Sequence, residues 1–256
     1  MTTSPLMTPE ELLAHFERGG VTTLEQFARQ AAPTLTPTQV RAVRRAGQPE
    51  PAATPTTPEM LRRALLEEGP PPTEQAPVPR PFRLEGTLYG PGDVTRFGGQ
   101  PLHFYLDTAL LETGHLKAFP SKAALRRHLR ETGQLPEDLT AALERGGVVP
   151  LHHVAGRPAE FFEHIDFGGE RITLDPRHAF DDLTQRTMKV TGFLFFSWDR
   201  VSWNDEISSL RTGDEAITCF EHIHFGGRSF TVGRNTSVPW VGDFWNDRIS
   251  SAIGLF

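Results

Sequence analysis

Two blocks near the end of the chain concentrate hard oxygen donors. They are Asn204-Asp205-Glu206-Ile207-Ser208-Ser209 and Asn246-Asp247-Arg248-Ile249-Ser250-Ser251, each preceded by a tryptophan, Trp203 or Trp245. Carboxamide, carboxylate and hydroxyl oxygens, joined by the carbonyls of a turn, are what a hard cation takes: six to eight oxygens at about 2.3–2.6 Å. The same side chains also make good turns, because Asn, Asp and Ser bond to nearby backbone groups. Cation binding and turn formation are the two readings of each block.

The blocks must be positioned by other elements, and these are duplicated too. Phe162-Glu163-His164-Ile165-Asp166-Phe167-Gly168-Gly169 recurs 58 residues later as Phe220-Glu221-His222-Ile223-His224-Phe225-Gly226-Gly227, with seven of eight positions identical. An aromatic, four residues, a second aromatic and a glycine two places on predict a strand folding over into a tight hairpin. Gly169 and Gly227 would supply positive φ, and the ring pair would pack over the bend. Arg171-Ile172-Thr173-Leu174 and Ser229-Phe230-Thr231-Val232 follow with the period of a half-buried strand. Two such four-stranded units, interlocked, would form a small sandwich of Greek keys.

These residues resemble the βγ-crystallin superfamily over about 158–256, with keys at about 158–212 and 217–256. The aromatic-x4-aromatic-x-Gly signature falls on Phe162, Phe167 and Gly169 and on Phe220, Phe225 and Gly227; the family's calcium signature, Asn/Asp-Asn/Asp-x-x-Ser/Thr-Ser, falls on the two blocks. The resemblance implies up to two Ca²⁺ ions between the keys. One site would use Asp205, the carbonyl of Glu206 and Ser208, with help from around Glu221. The other would use Asp247, the carbonyl of Arg248 and Ser250, with help from around Glu163. Asn204 and Asn246 would orient the loops. Arg248 places a positive charge at its own site, which should be the weaker.

The spacing from glycine to asparagine is 35 residues in the first copy and 19 in the second. The extra residues lie within 175–200 and end in the apolar run 193–198. That run is read either as a lengthened loop and strand packing on the protein or as a contact surface for a protein partner.

Charge and aromatic content divide the chain. All four tryptophans lie in the C-terminal region, and no aromatic occurs from 28 to 81. Residues 159–256 carry 9 basic and 15 acidic side chains, so the net charge of −6 resides there. This suits a cation site and argues against a nucleic-acid surface.

Residues 1–69 read as short helices, opened by signals such as Thr8-Pro9-Glu10-Glu11, and the last of them spans Thr57 to Glu68. Residues 70–81 read as a Pro-rich linker. Residues 82–157 read as a small α+β unit, with strands at Phe82–Tyr89, Leu102–Asp107 and Val148–Val154. Its helices would run over Ser121–Glu131 and Pro136–Arg145, with Leu125, Leu129, Leu135, Leu139 and Leu143 in the core. The N-terminal parts would dock to a protein partner.

The expected fold class is therefore α+β, with an all-β double Greek-key sandwich at the C-terminus preceded by an α+β unit and a helical segment. The histidines include His152 and His153, but no nucleophile or phosphate-binding pattern accompanies them. His164, His222 and His224 should point outward from the hairpins. Cys219 stands alone and reads as a small buried hydrophobe. No basic-then-apolar leader or membrane-length run is present, so a cytoplasmic protein is the simplest reading. The function expected is non-enzymatic calcium binding in a stress or structural role. A protein-interaction or inhibitor module, and an enzyme in 82–157, are the alternatives.

Overall fold

The computed structural model describes residues 53–69, 78, 80–145, 156–191, 199–242, 245–246 and 248–255. Residues 51–186 and 202–256 form one compact unit; 187–201 fall, with 1–50, in another. The expected helices before residue 51, the strand at Val148–Val154, His152, His153, most of the 70–81 linker, the run 193–198 and Asp247 lie outside the described residues.

The two repeats fold alike. In the first, β6 (Ala159–Phe162) turns through a short 3₁₀ segment, Ile165–Phe167, into β7 (Arg171–Leu174); in the second, β12 (Ile217–His222) turns through Ile223–Phe225 into β13 (Gly226–Val232). Asp166 and Phe167 have φ of 55° and 63°, and His224 and Phe225 have 56° and 63°. Two successive non-glycine residues at positive φ are strained. Ring packing holds them, Phe162 on Phe167 and Phe220 on Phe225, both at 5.6 Å between centroids. Gly169 and Gly227, at φ 77° and 75°, complete the bends.

Each repeat then gives its third strand to the other. β8 (His178–Phe180) pairs with β15 (Ser251–Gly254), while β14 (Ser237–Val238) pairs with β11 (Ser209–Arg211). One sheet is therefore four-stranded, in the order β14-β11-β6-β7. The lengthened first copy contains a two-stranded sheet of Thr187–Thr191 (β9) and Asp199–Ser202 (β10). Its flanks meet where the Trp203 amide donates to the Arg186 carbonyl at 2.8 Å, so the chain leaves and re-enters the repeat at one point.

The second sheet does not stop at the repeat. β4 (His103–Leu106) adds in parallel to the outer edge of β13, with Ser229 opposite His103 and Val232 opposite Leu106. β5 (Leu116–Phe119), β2 (Phe82–Leu84) and β3 (Thr87–Tyr89) continue beyond it. At the far edge β1 (Thr54–Pro55) caps β8, giving nine strands. A proline suits that edge, where its missing N–H is not needed. Segments read from sequence as separate units thus share one sheet.

Helices cover this sheet. α1 (Pro58–Leu65) starts at Thr57, whose hydroxyl accepts from the Met60 amide at 3.2 Å, and buries Leu61 and Leu65. After α2 (Thr108–Thr113), α3 (Lys122–Glu131) starts at Ser121, whose hydroxyl accepts from the Ala124 amide. α3 and α4 (Glu137–Glu144) supply Leu125, Leu129, Leu139 and Leu143 to one core with Phe220, Phe225 and Ile253. Two expectations need correction. Phe82–Tyr89 is two strands, because Glu85 and Gly86 (φ 47° and 86°) form a two-residue turn that leaves the alternation unbroken. Ser229–Val232 is fully rather than half buried, since the helices cover the face that alternation leaves polar.

Candidate functional site

The Ser-Ser pairs are the joints between loop and hairpin. β11 pairs with β6 and β15 with β12, in registers that set Ser209 opposite Phe162 and Ser251 opposite Phe220. The second serine of each pair closes the folded hairpin. Ser209 Oγ donates to the His164 carbonyl (2.6 Å) and accepts from the Phe167 amide (3.1 Å). Ser251 Oγ repeats this with the His222 carbonyl (2.7 Å) and the Phe225 amide (3.1 Å). The first serine meets the carbonyl of the hairpin glutamate: Ser208 Oγ lies 2.6 Å from Glu163 O, and Ser250 Oγ 3.0 Å from Glu221 O.

Two oxygen clusters result. In one, Ser250 Oγ also lies 3.3 Å from Asp205 Oδ1, and Asn204 Nδ2 donates to Asp205 Oδ2 at 2.6 Å. Asp205 takes φ 61°, and its amide donates to the Ile249 carbonyl, so the first loop reaches across to the second repeat. The Asn204 Oδ1 is buried without a hydrogen-bond partner among the described residues. The other cluster holds Ser208 Oγ and the Glu163 carbonyl; the Glu163 carboxylate accepts from the Glu170 amide at 3.2 Å.

The grouping differs from the one expected. The expectation set Asp205 and Ser208 with Glu221; in the structure Asp205 and Ser250 gather at Glu221 and Ser208 meets Glu163, so it is the serines that are exchanged. Strand register decides it, since each serine must face the hairpin its own strand pairs with. Asp205 goes with Ser250 rather than Ser208. The Glu206 amide turns back to the Trp203 carbonyl and the Arg248 amide to the Trp245 carbonyl, while the Asn246 amide bonds the Gly242 carbonyl. Sequence reasoning named Glu163 and Glu221 without distinguishing main-chain carbonyl from carboxylate, and it did not give Ser209 and Ser251 their hairpin role. The repeated double serine was the signal for both.

The electrostatics of the clusters differ. Glu221 is clasped by Arg228, whose Nε and Nη2 lie 3.2 and 3.0 Å from the two carboxylate oxygens, with Arg248 Nη1 at 3.9 Å. Burial pushes the Glu221 carboxyl up, but the Arg228 guanidinium outweighs it and holds the group below its ordinary value. Among the described residues no three His, Cys, Asp or Glu side chains gather as a metal cluster. A cation here would instead draw on carbonyl, hydroxyl and single carboxylate oxygens, a donor set suited to calcium.

Other chemistry-bearing groups are structural. Asp107 caps α2 by accepting from the Leu110 amide. His103 lies between Ser229 Oγ (2.8 Å) and Glu68 Oε2 (3.0 Å), an arrangement like a nucleophile relay, but Ser229 and His103 are 1% and 0% exposed. No substrate reaches them in this fold. Burial holds His103 below its ordinary pKa despite Glu68. His164 and His224 are exposed, with His224 near Asp181. Cys219 is buried and its thiol pushed up to about 12, so it is unreactive. A depression of about 340 Å³ beside Arg157, Glu160, Arg211 and Thr212 lies on the repeats, not in 82–145. No helix among the described residues is long and apolar enough to cross a membrane.

No family model and no curated protein matches the chain. Solved structures similar to it include a clostrillin double mutant in complex with nickel, 21% identical with a TM-score of 0.28, covering 39% of this chain and 99% of that one. A double mutant of a βγ-crystallin domain from Clostridium beijerinckii is 25% identical with a TM-score of 0.29, covering 39% and 97%. A βγ-crystallin from Ciona intestinalis is 24% identical with a TM-score of 0.28, covering 38% and 99%. At such TM-scores the likenesses carry no argument of their own. The duplicated hairpins, the double-serine joints and the exchanged third strands make the C-terminal region βγ-crystallin-like.

Proposed function

We propose that the C-terminal repeats are two interlocked Greek keys that bind calcium, and that the chain is a non-enzymatic calcium-binding protein stabilised by the ion. The observation that carries this reading is the meeting of the Ser208 hydroxyl with the hairpin carbonyl of Glu163, at 2.6 Å. Rotating the hydroxyl proton away turns both oxygens toward a shared cation. The acidic excess of 159–256 favours the ion at longer range.

A ligand bound only by the native state adds RT ln(1 + [Ca²⁺]/Kd), about 2.7 kcal/mol at a hundred times Kd. The gain would come when calcium rises, which fits a stress or structural role in a cytoplasmic protein, with the N-terminal parts docking to a protein partner. Thermal melts of the full chain in calcium and in chelator, with calorimetric titration, test the reading. A rise in Tm with saturable heat is expected; unchanged melts and no heat would reduce the blocks to turns.

A further inference from the structure

The two clusters are built on equivalent hairpins but carry opposite charge at one position. Seven residues after its glutamate the first hairpin has Glu170, and the second has Arg228. Arg228 is 0% exposed, and its main-chain N–H, Nε and Nη2 all engage the Glu221 carboxylate. The tip of the second hairpin is covered by α1, and the Lys122 ammonium, under that cover, donates to the Phe225 carbonyl at 3.3 Å. Arg248 adds a second guanidinium, 3.9 Å from the same carboxylate. The Glu221 carboxylate therefore already faces two guanidiniums, on the residue whose main-chain carbonyl meets Ser250.

Building on the calcium reading above, we infer that Arg228 is the resident cation of the Asp205–Ser250–Glu221 cluster and that the chain takes one calcium ion, at the Ser208–Glu163 cluster. An incoming divalent ion at the first cluster would stand beside two fixed positive charges in a partly buried site, where repulsion is weakly screened. At the Ser208–Glu163 cluster the equivalent side chain is the acid Glu170, which favours the ion.

Calcium chloride titrated calorimetrically into the full chain and its Ser208→Ala and Ser250→Ala variants separates the possibilities. One equivalent of heat is expected, weakened about tenfold or more by Ser208→Ala and within about twofold unchanged by Ser250→Ala. Both substitutions remove a single hydroxyl, and far-UV circular dichroism verifies folding. Arg228→Gln is the converse test and should raise the stoichiometry toward two. Two equivalents of similar affinity in the wild type, or sensitivity to Ser250 rather than Ser208, would overturn the inference and leave calcium binding standing. No heat from the folded wild type would overturn calcium binding itself, and the inference with it.

Discussion

Lys122 begins α3 with its ammonium 2.9 Å from the Arg63 carbonyl and 5.1 Å above the Phe220 ring. It is almost fully buried, and its partners are neutral oxygens and an aromatic face rather than a contacting carboxylate. Burial lowers it from an ordinary 10.5 to about 8, against the opposing pull of Glu68 and Glu67. Between those two values the unfolded chain binds more protons than the folded one, so stability rises with pH across that window. Each tenfold weakening of proton binding is worth about 1.4 kcal/mol, which puts the full gain at roughly 3–4 kcal/mol. Cys219 acts in the opposite sense above its ordinary 9.0, because its folded thiol stays protonated up to about 12. The test is therefore a difference: urea unfolding of wild type and Lys122→Met between pH 7.5 and 10, roughly the window over which the lysine titrates. The wild type should gain stability relative to the variant as pH rises; parallel curves would mean the ammonium is effectively solvated.

At the scale of elements, the contact between the segment after α1 and the second hairpin depends on a glycine. A Cβ on Gly69 would lie 2.7 Å from the Gly227 main-chain nitrogen, and backbone on both sides leaves no flexible atom to yield. Gly69→Ala should cost about 1–3 kcal/mol by lifting α1 from the hairpin. Gly92→Ala, where nothing lies within 4 Å of the added carbon, should be near neutral. Leu61→Ala, on the same helix and 0% exposed, should cost about 2–5 kcal/mol. Chemical denaturation of the three variants measures the ranking. These elements also mark what can be read from residues alone. The caps at Thr57 and Ser121, the leucine rows of α3 and α4 and the aromatic-glycine hairpins were legible, because side-chain chemistry and spacing specify them locally. The crossed cluster grouping was not, since register depends on which strands pair. Nor was the burial of Ser229 and Thr231, polar residues covered only once β4 and the helices are in place; Ser229 meets His103 of β4, while Thr231 pairs with Thr218 across the hairpin.

For the molecule as a whole, the junction of β13 with β4 decides whether the repeats and residues 53–145 unfold together. Main-chain pairing leaves no mark in a sequence, so the motif boundary near 158 looked like an edge; Phe230, Val232, Phe104 and Leu106 are buried on either side of it. The shared core, with Leu61, Leu125 and Leu129 against Phe220 and Phe225, adds a second connection across the same boundary. The probes for a test are already segregated. Three of the four tryptophans, Trp203, Trp240 and Trp245, lie in 202–256, and Trp203 and Trp245 are buried there. Helices α1 to α4 all lie between residues 58 and 144. Tryptophan fluorescence therefore reports the repeats, and circular dichroism at helical wavelengths reports the rest of the unit. In a chain of residues 51–256 the two urea transitions should coincide, as a single cooperative unit requires. Removing residues 51–157 should leave β13 as an uncovered apolar edge, with a lower Tm and a tendency to associate. Separate transitions in 51–256, or a 158–256 fragment as stable as the longer chain, would show that the continuous sheet joins two units without coupling their stabilities.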